Sequence, residues 1–479
     1  MRAGRWSVGV FIAVAVAAAT ASAKDAASAA AAHPLPLESV ATATGTWGIA
    51  QEVPGMAALN KLVDATVTSV SCTSAGRCTA VGDYTNVLGG VEAFVTRRVN
   101  GNWSTAVEIP GTLALDPRGT HTVHPYSLSC SSAGNCGITG SYWDAGKVQA
   151  FVDSEVNGKW RTAIEVPGTG ALNQYGDAGG SSISCTSPGN CSAVGEYTNS
   201  SDHNEAFVVS EVNGTWRRAV EVPGSAALNH GNNGSVDAVS CASPGNCSAV
   251  GSMDSAPMGI AFVVSEVNGG WRTAIQVPRV STIDQGGMAV VTSVSCAKAG
   301  NCSAGGNYSD THGGLGAFVV TEVNGIWRTA IKVPGMTNVN SMSCASAGNC
   351  SAGGSNYSQT ALVMDEVNGI WRTAIQVPGT TTLDHGQNAL VTSVSCPSAG
   401  NCAAGGNYWY GATAGSFVVS EVNGTWHTAI RVPGLAALQH GSGASLNSLS
   451  CGAAGRCSAG GNVGYYGYYG SQAFVVSEK

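Results

Sequence analysis

Cysteine spacing constrains this chain more than any other feature. All 16 cysteines fall into eight pairs with five residues between partners: Cys72/Cys78, Cys130/Cys136, Cys185/Cys191, Cys241/Cys247, Cys296/Cys302, Cys344/Cys350, Cys396/Cys402 and Cys451/Cys457. Zinc-binding cysteines usually sit two to four residues apart and need a second pair or histidines close by, whereas these pairs recur about 50 residues apart. The spacing therefore predicts local disulfides, which belong to an oxidising compartment. Each would close a loop of about seven residues, worth roughly 2.4 kcal/mol on a chain-entropy argument.

The N-terminus fits that compartment. Arg2 and Arg5 precede an apolar run from Val8 to Ala19, and Ala21-Ser22-Ala23 stands ahead of Lys24-Asp25. Residues 1–23 are thus expected to be a signal peptide and the mature protein to be secreted. A membrane anchor fits less well, because the run falls short of the roughly 20 residues a span needs. Residues 24–44, rich in alanine and carrying Pro34 and Pro36, are expected to form a flexible linker. No later stretch is apolar for long enough to predict a membrane span. With 22 basic against 29 acidic residues, a net charge of -7 and 44% hydrophobic residues, the chain is neither disordered nor electrostatically suited to nucleic acid.

Alignment on the cysteines exposes one repeated unit of roughly 55 residues. It is clearest in residues 181–224, SSISCTSPGNCSAVGEY, a variable stretch, then EAFVVSEVNGTWRRAVEVPG. Eight tryptophans recur with it, at Trp47, Trp103, Trp160, Trp216, Trp271, Trp327, Trp371 and Trp426. Each unit holds four short runs of β-branched and aromatic residues bounded by turn signals, as strands should be. We label them a (SVSC), b (CSAVGEY), c (AFVVSEV) and d (Trp to Val-Pro-Gly). The Cys-clamped turn joins a to b, and Asn-Gly joins c to d, a strong hairpin signal because both residues tolerate positive φ.

The termini favour a ring over a solenoid. Residues 473–479 read as a strand c without its d, and residues 45–55, GTWGIAQEVPG, as a strand d without its c. A solenoid would want polar capping repeats at both ends instead. The expectation is an all-β chain over residues 45–479, an eight-bladed β-propeller of four-stranded antiparallel blades whose N-terminal strand completes the last blade.

A strand b ending in Gly-Gly (Gly305-Gly306, Gly353-Gly354, Gly405-Gly406, Gly460-Gly461), an aromatic strand c and a Trp opening strand d resemble the kelch repeat. The repeat is also similar to those of secreted bacterial propellers with Cys-x5-Cys and an NGxW hairpin. Four units carry Val-Gly or Thr-Gly instead, and the a/b disulfide is foreign to the usual kelch pattern. The resemblance implies the fold and no particular activity.

Strand parity places the a/b and c/d turns at one edge of each blade and the b/c and d/a loops at the other. The first pair is nearly invariant, and the second is long and individual, so a ligand face is expected on the b/c and d/a side. It carries His121, His124, His203, His230, His312, His385 and His440 and the acids Asp83, Asp144, Asp202, Asp254, Asp310 and Asp384. The binding candidates are its aromatic clusters, Tyr142-Trp143, Tyr408-Trp409-Tyr410, and Tyr465, Tyr466, Tyr468 and Tyr469, whose rings could stack on sugars. The plain alternative is that tyrosines close off strand ends. The arginine or histidine after six of the repeat tryptophans (Arg161, Arg217, Arg272, Arg328, Arg372 and His427) recurs by position and reads as scaffold.

No histidine is followed by glutamate, so HExxH is absent, and neither Gly-Lys pair is followed by Ser or Thr, so there is no P-loop. No catalytic residue, metal or cofactor is assigned. The sequence predicts a monomeric, non-catalytic binding propeller recognising a glycan or an envelope or partner protein. Two alternatives stand beside it, an extracellular carbohydrate-active hydrolase or lyase, and a structural surface protein. The enzyme alternative requires acids with shifted pKa values gathered around the central mouth.

Overall fold

The computed structural model describes residues 45–479 apart from 63, 116–121, 231–232, 256–257, 387, 412, 440–442 and 466–467; of residues 255, 258, 413, 439, 465, 468 and 469 only the backbone is described. The expected leader (1–23) and linker (24–44) lie outside these residues.

Each repeat forms one antiparallel blade with its strands in the order a-b-c-d. In blade 3 these are Ala178–Ser187, Asn190–Thr198, Asn204–Val212, and a strand d in two pieces, Thr215–Trp216 and Val220–Glu221. The strands a of blades 1 to 8 are Ala65–Ser74, Val123–Ser132, Ala178–Ser187, Gly234–Ser243, Ala289–Lys298, Asn338–Ser346, Asn388–Ser398 and Ala444–Ala453. They touch one another in order, and the eighth touches the first. Strand a is therefore innermost, and the eight together surround a central channel.

The ring closes as the termini foretell. Residues Gln51–Glu52 pair with the last strand, Tyr468–Ser477, in the register Gln51↔Val475 and Glu52↔Phe474, and Trp47 bridges Glu478. All eight disulfides form, one per blade between a and b. Cys185 and Cys191, for example, stand directly opposite in the ladder.

Between blades, backbone N–H groups of one strand a reach serines of the preceding one. Ser182 Oγ accepts from Val239 N–H (3.2 Å) and Ser184 Oγ from Cys241 N–H (2.9 Å). The same pair of bonds joins blade 8 to blade 1, from Val70 to Ser448 and from Cys72 to Ser450. This is the physical reason for the repeated Ser-x-Ser-Cys. Blade 4 has Ala238 at the first of these serines and offers Val294 no hydroxyl.

The core of each blade is a strand c side chain beneath a strand b glycine, a phenylalanine in seven blades and Leu362 in blade 6. Phe207 is fully buried, and a Cβ on Gly195 would lie 2.0 Å from Gly179 O and 2.8 Å from the Phe207 ring. The second glycine of the Gly-Gly or Val-Gly pair is thus fixed by backbone and ring, whereas a Cβ at the first meets mainly side chains of the next blade, as Gly353 meets Val391 at 2.4 Å.

Three features differ from the sequence reading. Strand a is longer than SVSC, ten residues in most blades, and carries a bulge: Gly180 pairs with Gly195 and Ser182 with Val194, leaving Ser181 extra. Strand d is broken, because the Ala219 N–H leaves its blade and donates to Pro167 O of the preceding one (2.7 Å), as Ala106 does to Pro54 and Ala274 to Pro223. The d/a connection opens with a recurring helical turn, for example Thr169–Leu172 and Ser225–Asn229, entered through a left-handed glycine. The Thr169 hydroxyl donates back to Val166 O (2.7 Å), so only the stretch beyond this turn is individual to the blade.

Candidate functional site

Two positions per blade set the chemistry at the channel mouth on the b/c and d/a side. The first is the strand b residue after the sterically fixed glycine; its side chain reaches toward the next blade. It is Asp83, Ser141, Glu196, Ser252, Asn307, Ser355, Asn407 and Asn462 in blades 1 to 8. The second is the strand a bulge residue: Thr68, Tyr126, Ser181, Asp237, Thr292, Asn340, Thr392 and Asn447.

Six of the bulge residues serve the scaffold in one way. Thr68 donates to Pro125 O (2.7 Å), Ser181 to Val236 O (2.5 Å), Asn340 to Val391 O (2.8 Å), Thr392 to Leu446 O (3.0 Å) and Asn447 to Val67 O (2.9 Å), each on the next blade; Thr292 does the same to Val339 O. Tyr126 and Asp237 break the pattern. The Tyr126 hydroxyl pairs instead with Ser141 Oγ of its own blade (2.9 Å), and its ring is 44% exposed and stacks on His124 with centroids 6.1 Å apart. His124 in turn meets Asp83 across the blade 1/2 seam, Nδ1 to Oδ2 2.8 Å.

The mouth is therefore lopsided. At these two positions, and at His124 beside them, every acid, imidazole and phenol lies in blades 1 to 4; blades 5 to 8 supply only amides and hydroxyls. Glu196 and Asp237 sit on adjacent blades and feel one another. Burial, then the charges of Asp237 and Asp177, push the Glu196 carboxyl up to about 8. Burial pushes Asp237 up to about 7, against a hydrogen bond from Ser235 that pulls it down. Burial also raises Asp177, and it raises Tyr126 against the Ser141 hydrogen bond, with Asp83, Asp177 and Glu196 adding to the rise. At neutral pH the cluster can thus present a protonated carboxyl as donor, carboxylates as acceptors and an aromatic face. Among the described residues no three His, Cys, Asp or Glu side chains come close enough together to hold a metal ion.

The disulfides take no part in such a site. They lie at the a/b turns, on the opposite face, and their strand b partners point into the packing between blades. Cys78, Cys136 and Cys457 are only 4%, 3% and 2% exposed, too buried to meet a ligand. Cys78 Sγ lies 3.4 Å from Ser458 Oγ of blade 8 and Cys136 Sγ 3.8 Å from Thr79 Oγ1 of blade 1, and Cys457 shares a core cluster with Ala403 of blade 7. These cysteines are core residues that staple the blade.

The aromatic candidates divide. Tyr142 and Tyr408 are only 5% and 6% exposed. Tyr142 occupies the strand b position shared by Tyr84 and Tyr197, lying over strand d beside Glu165, and the Tyr408 ring lies under the Arg431 guanidinium. Trp143 and Trp409 are half-buried, and Tyr410 is 49% exposed and tilted against His385 at 4.1 Å. These clusters stand on blades 2 and 7, on separate spokes of the ring. Tyr466 lies outside the described residues, as do the side chains of Tyr465, Tyr468 and Tyr469. So do His121 and His440. Of the histidines and acids read onto this face, Asp83, His124, Asp144 and Asp254 lie within strands. Tyr126, Glu196 and Asp237 were missed altogether, although aligning the repeats at the residue after the glycine and at the bulge would have shown them as departures.

No protein-family model matches the chain, and no curated protein matches it in sequence. Solved structures do match in shape. Sqt1 from Chaetomium thermophilum is 11% identical with a TM-score of 0.51, over 89% of this chain and 97% of its own. Sqt1 bound to the N-terminus of ribosomal protein L10 scores 0.50 at 10% identity, over 88% and 98%. A microbial sialidase scores 0.39 at 9% identity, over 80% and 68%. What this chain shares with Sqt1, at such low identity, is the propeller fold.

Proposed function

We propose that the protein is an exported, kelch-like binding propeller of the bacterial kind that works as a monomer and seats a glycan at the acidic half of its channel mouth. The observation that carries this reading is the break in the repeat. Where symmetry alone operates, the bulge residue is spent on the next blade's backbone; in blades 2 and 4 it is an aromatic ring and a carboxyl instead. A sugar offers an apolar face to Tyr126 and hydroxyls to Asp237, Glu196 and the Asp83–His124 pair. Trp143, Trp409 and Tyr410 belong to an outer rim on the same face, within reach of a longer chain. Export is supported by the leader-like N-terminus and by the eight disulfides.

One observation favours a second reading, hydrolysis. Two interacting carboxyls, at least one holding its proton near neutral pH, are what acid-base cleavage of a glycosidic bond requires. Both readings are tested by presenting the full chain to an array of glycans and cell-wall polysaccharides and analysing every hit for products. Binding that Tyr126→Ala and Asp237→Asn abolish, without turnover, supports the binding propeller. Turnover lost in Glu196→Gln supports the hydrolase. Binding that survives all three substitutions sinks the mouth as the site, and silence across the array moves the weight to a protein partner or a structural role.

A further inference from the structure

On the face of the a/b and c/d turns, seven of the eight seams between blades bury a strand c glutamate of the later blade; in the seam of blades 8 and 1 that position is Arg98. In the seam between blades 3 and 4, Glu266 accepts from Ser192 Oγ (3.1 Å, strand b) and Ser210 Oγ (2.9 Å, strand c) of the earlier blade. Glu322 is held likewise by Ser248 and Ser265, and Glu366 by Ser303 (3.0 Å) and Thr321 (3.2 Å). Two hydroxyl donors satisfy each of these three buried carboxyl groups.

The two-hydroxyl pattern holds in these three seams; Arg97, Gly137 and Ala403 replace one hydroxyl in the seams of blades 1/2, 2/3 and 7/8, and in the seam between blades 6 and 7 the replacement is an acid. Asp365 stands where the strand c hydroxyl should be, which removes one donor from Glu421. It also takes the other: Ser351 Oγ donates to Asp365 Oδ1 (2.7 Å), and the Trp426 indole N–H donates to Asp365 as well (3.2 Å). Glu421 is buried and its Oε2 has no hydrogen-bond partner. The charged groups lining the adjoining cleft of about 330 Å3 are Asp365, Glu366, Arg372 and Glu421. Two carboxyls share one seam, and the Ser351 hydroxyl and the Trp426 indole N–H both go to the first.

We propose that Glu421 carries a proton beside ionised Asp365 and that this proton latches blade 6 to blade 7, the seam loosening when it leaves. Burial, then the charge of Asp365, pushes the Glu421 carboxyl up to about 7, with Arg372 pulling it down. Asp365 is raised by burial but lowered by the Ser351 and Trp426 hydrogen bonds and by Arg372, which makes it the ionised partner. A folded pKa above the unfolded one means that the closed seam keeps a proton the open seam gives up. Its stability is full at low pH and falls as pH rises from the ordinary carboxyl value to about 7.

Hydrogen exchange on the full chain tests this. The probe is the pair of strands c flanking the seam, Ala361–Val367 and Thr413–Val422. After correction for intrinsic rates, opening there should rise about tenfold between pH 6 and pH 8. Asp365→Ser restores the two-hydroxyl pattern and should flatten that rise while leaving Asn204–Val212, in the unaltered seam of blades 3 and 4, as in the parent. The same rise in parent and Asp365→Ser would overturn the proposal. Should Asp365→Ser fail to fold, Glu421→Gln, permanently neutral, should flatten the rise equally, and persistence of the rise in that variant would overturn it.

Discussion

At the scale of single residues, the repeat separates positions held by sterics from positions free to specialise. Gly195 is held: its missing Cβ is the space that Gly179 O and Phe207 occupy. Gly195→Ala should therefore destabilise the protein by about 3 kcal/mol or more, read as a lower denaturation midpoint. Ala238 is the reverse case, a scaffold serine that is absent. Ala238→Ser should supply the hydroxyl that Val294 lacks and raise stability by about 1 kcal/mol in the same measurement. An unchanged midpoint would show that the Ser-x-Ser pattern is not what ties the strands a together. The mouth residues were hidden for a related reason: Tyr126 and Asp237 look ordinary in a strand-by-strand reading and stand out only against the six bulge residues that bond the next blade.

At the scale of elements, the hairpins were legible because Asn-Gly and the Cys-clamped turn are local signals, and strand c because its apolar run is continuous. The outer half of strand a was not. Residues such as Gly179 and Gly180 carry no strand propensity, and their pairing with strand b is set by the close approach that Gly195 permits. Strand d was legible from Trp to Pro-Gly, but its break depends on a carbonyl from the neighbouring blade that no single repeat contains. Closure of the ring rests on a short pairing, Gln51–Glu52 against Tyr468–Ser477, helped by Gly48 N–H to Ser477 O (2.9 Å) and Val53 N–H to Ala473 O (2.9 Å). Gln51→Pro removes the strand N–H that the register sets against Val475, two residues before the Val53 donor, and introduces a ring that a ladder does not accept. It should raise hydrogen exchange across residues 473–477 well before the strand c of blade 3 responds. Uniform protection across both would mean that the terminal strand is not the latch.

At the scale of the whole molecule, the seams bury carboxyl groups in nearly every blade. Burial raises Glu211, Glu266, Glu322, Glu366 and Glu478, and it raises Asp153 to about 8. In each case the folded chain holds protons that the unfolded chain releases, so stability should fall as pH rises from about 4.5 toward 8. Thermal unfolding should show a higher midpoint at pH 5 than at pH 8. A midpoint that rises with pH would mean that these acids are ionised and stabilised in the fold. Among the described residues no helix is long and apolar enough to cross a membrane, and the disulfides in all eight blades suit an oxidising setting.

The asymmetry of the mouth is the feature of the whole molecule that bears on function, and one measurement tests it most directly. Glycan binding by the full chain should be compared with that of Tyr126→Ala and, as a control on the opposite half of the ring, Thr392→Ala. Binding should be lost at least about tenfold in the first and kept in the second. Equal binding by all three proteins, or a loss confined to Thr392→Ala, would contradict it.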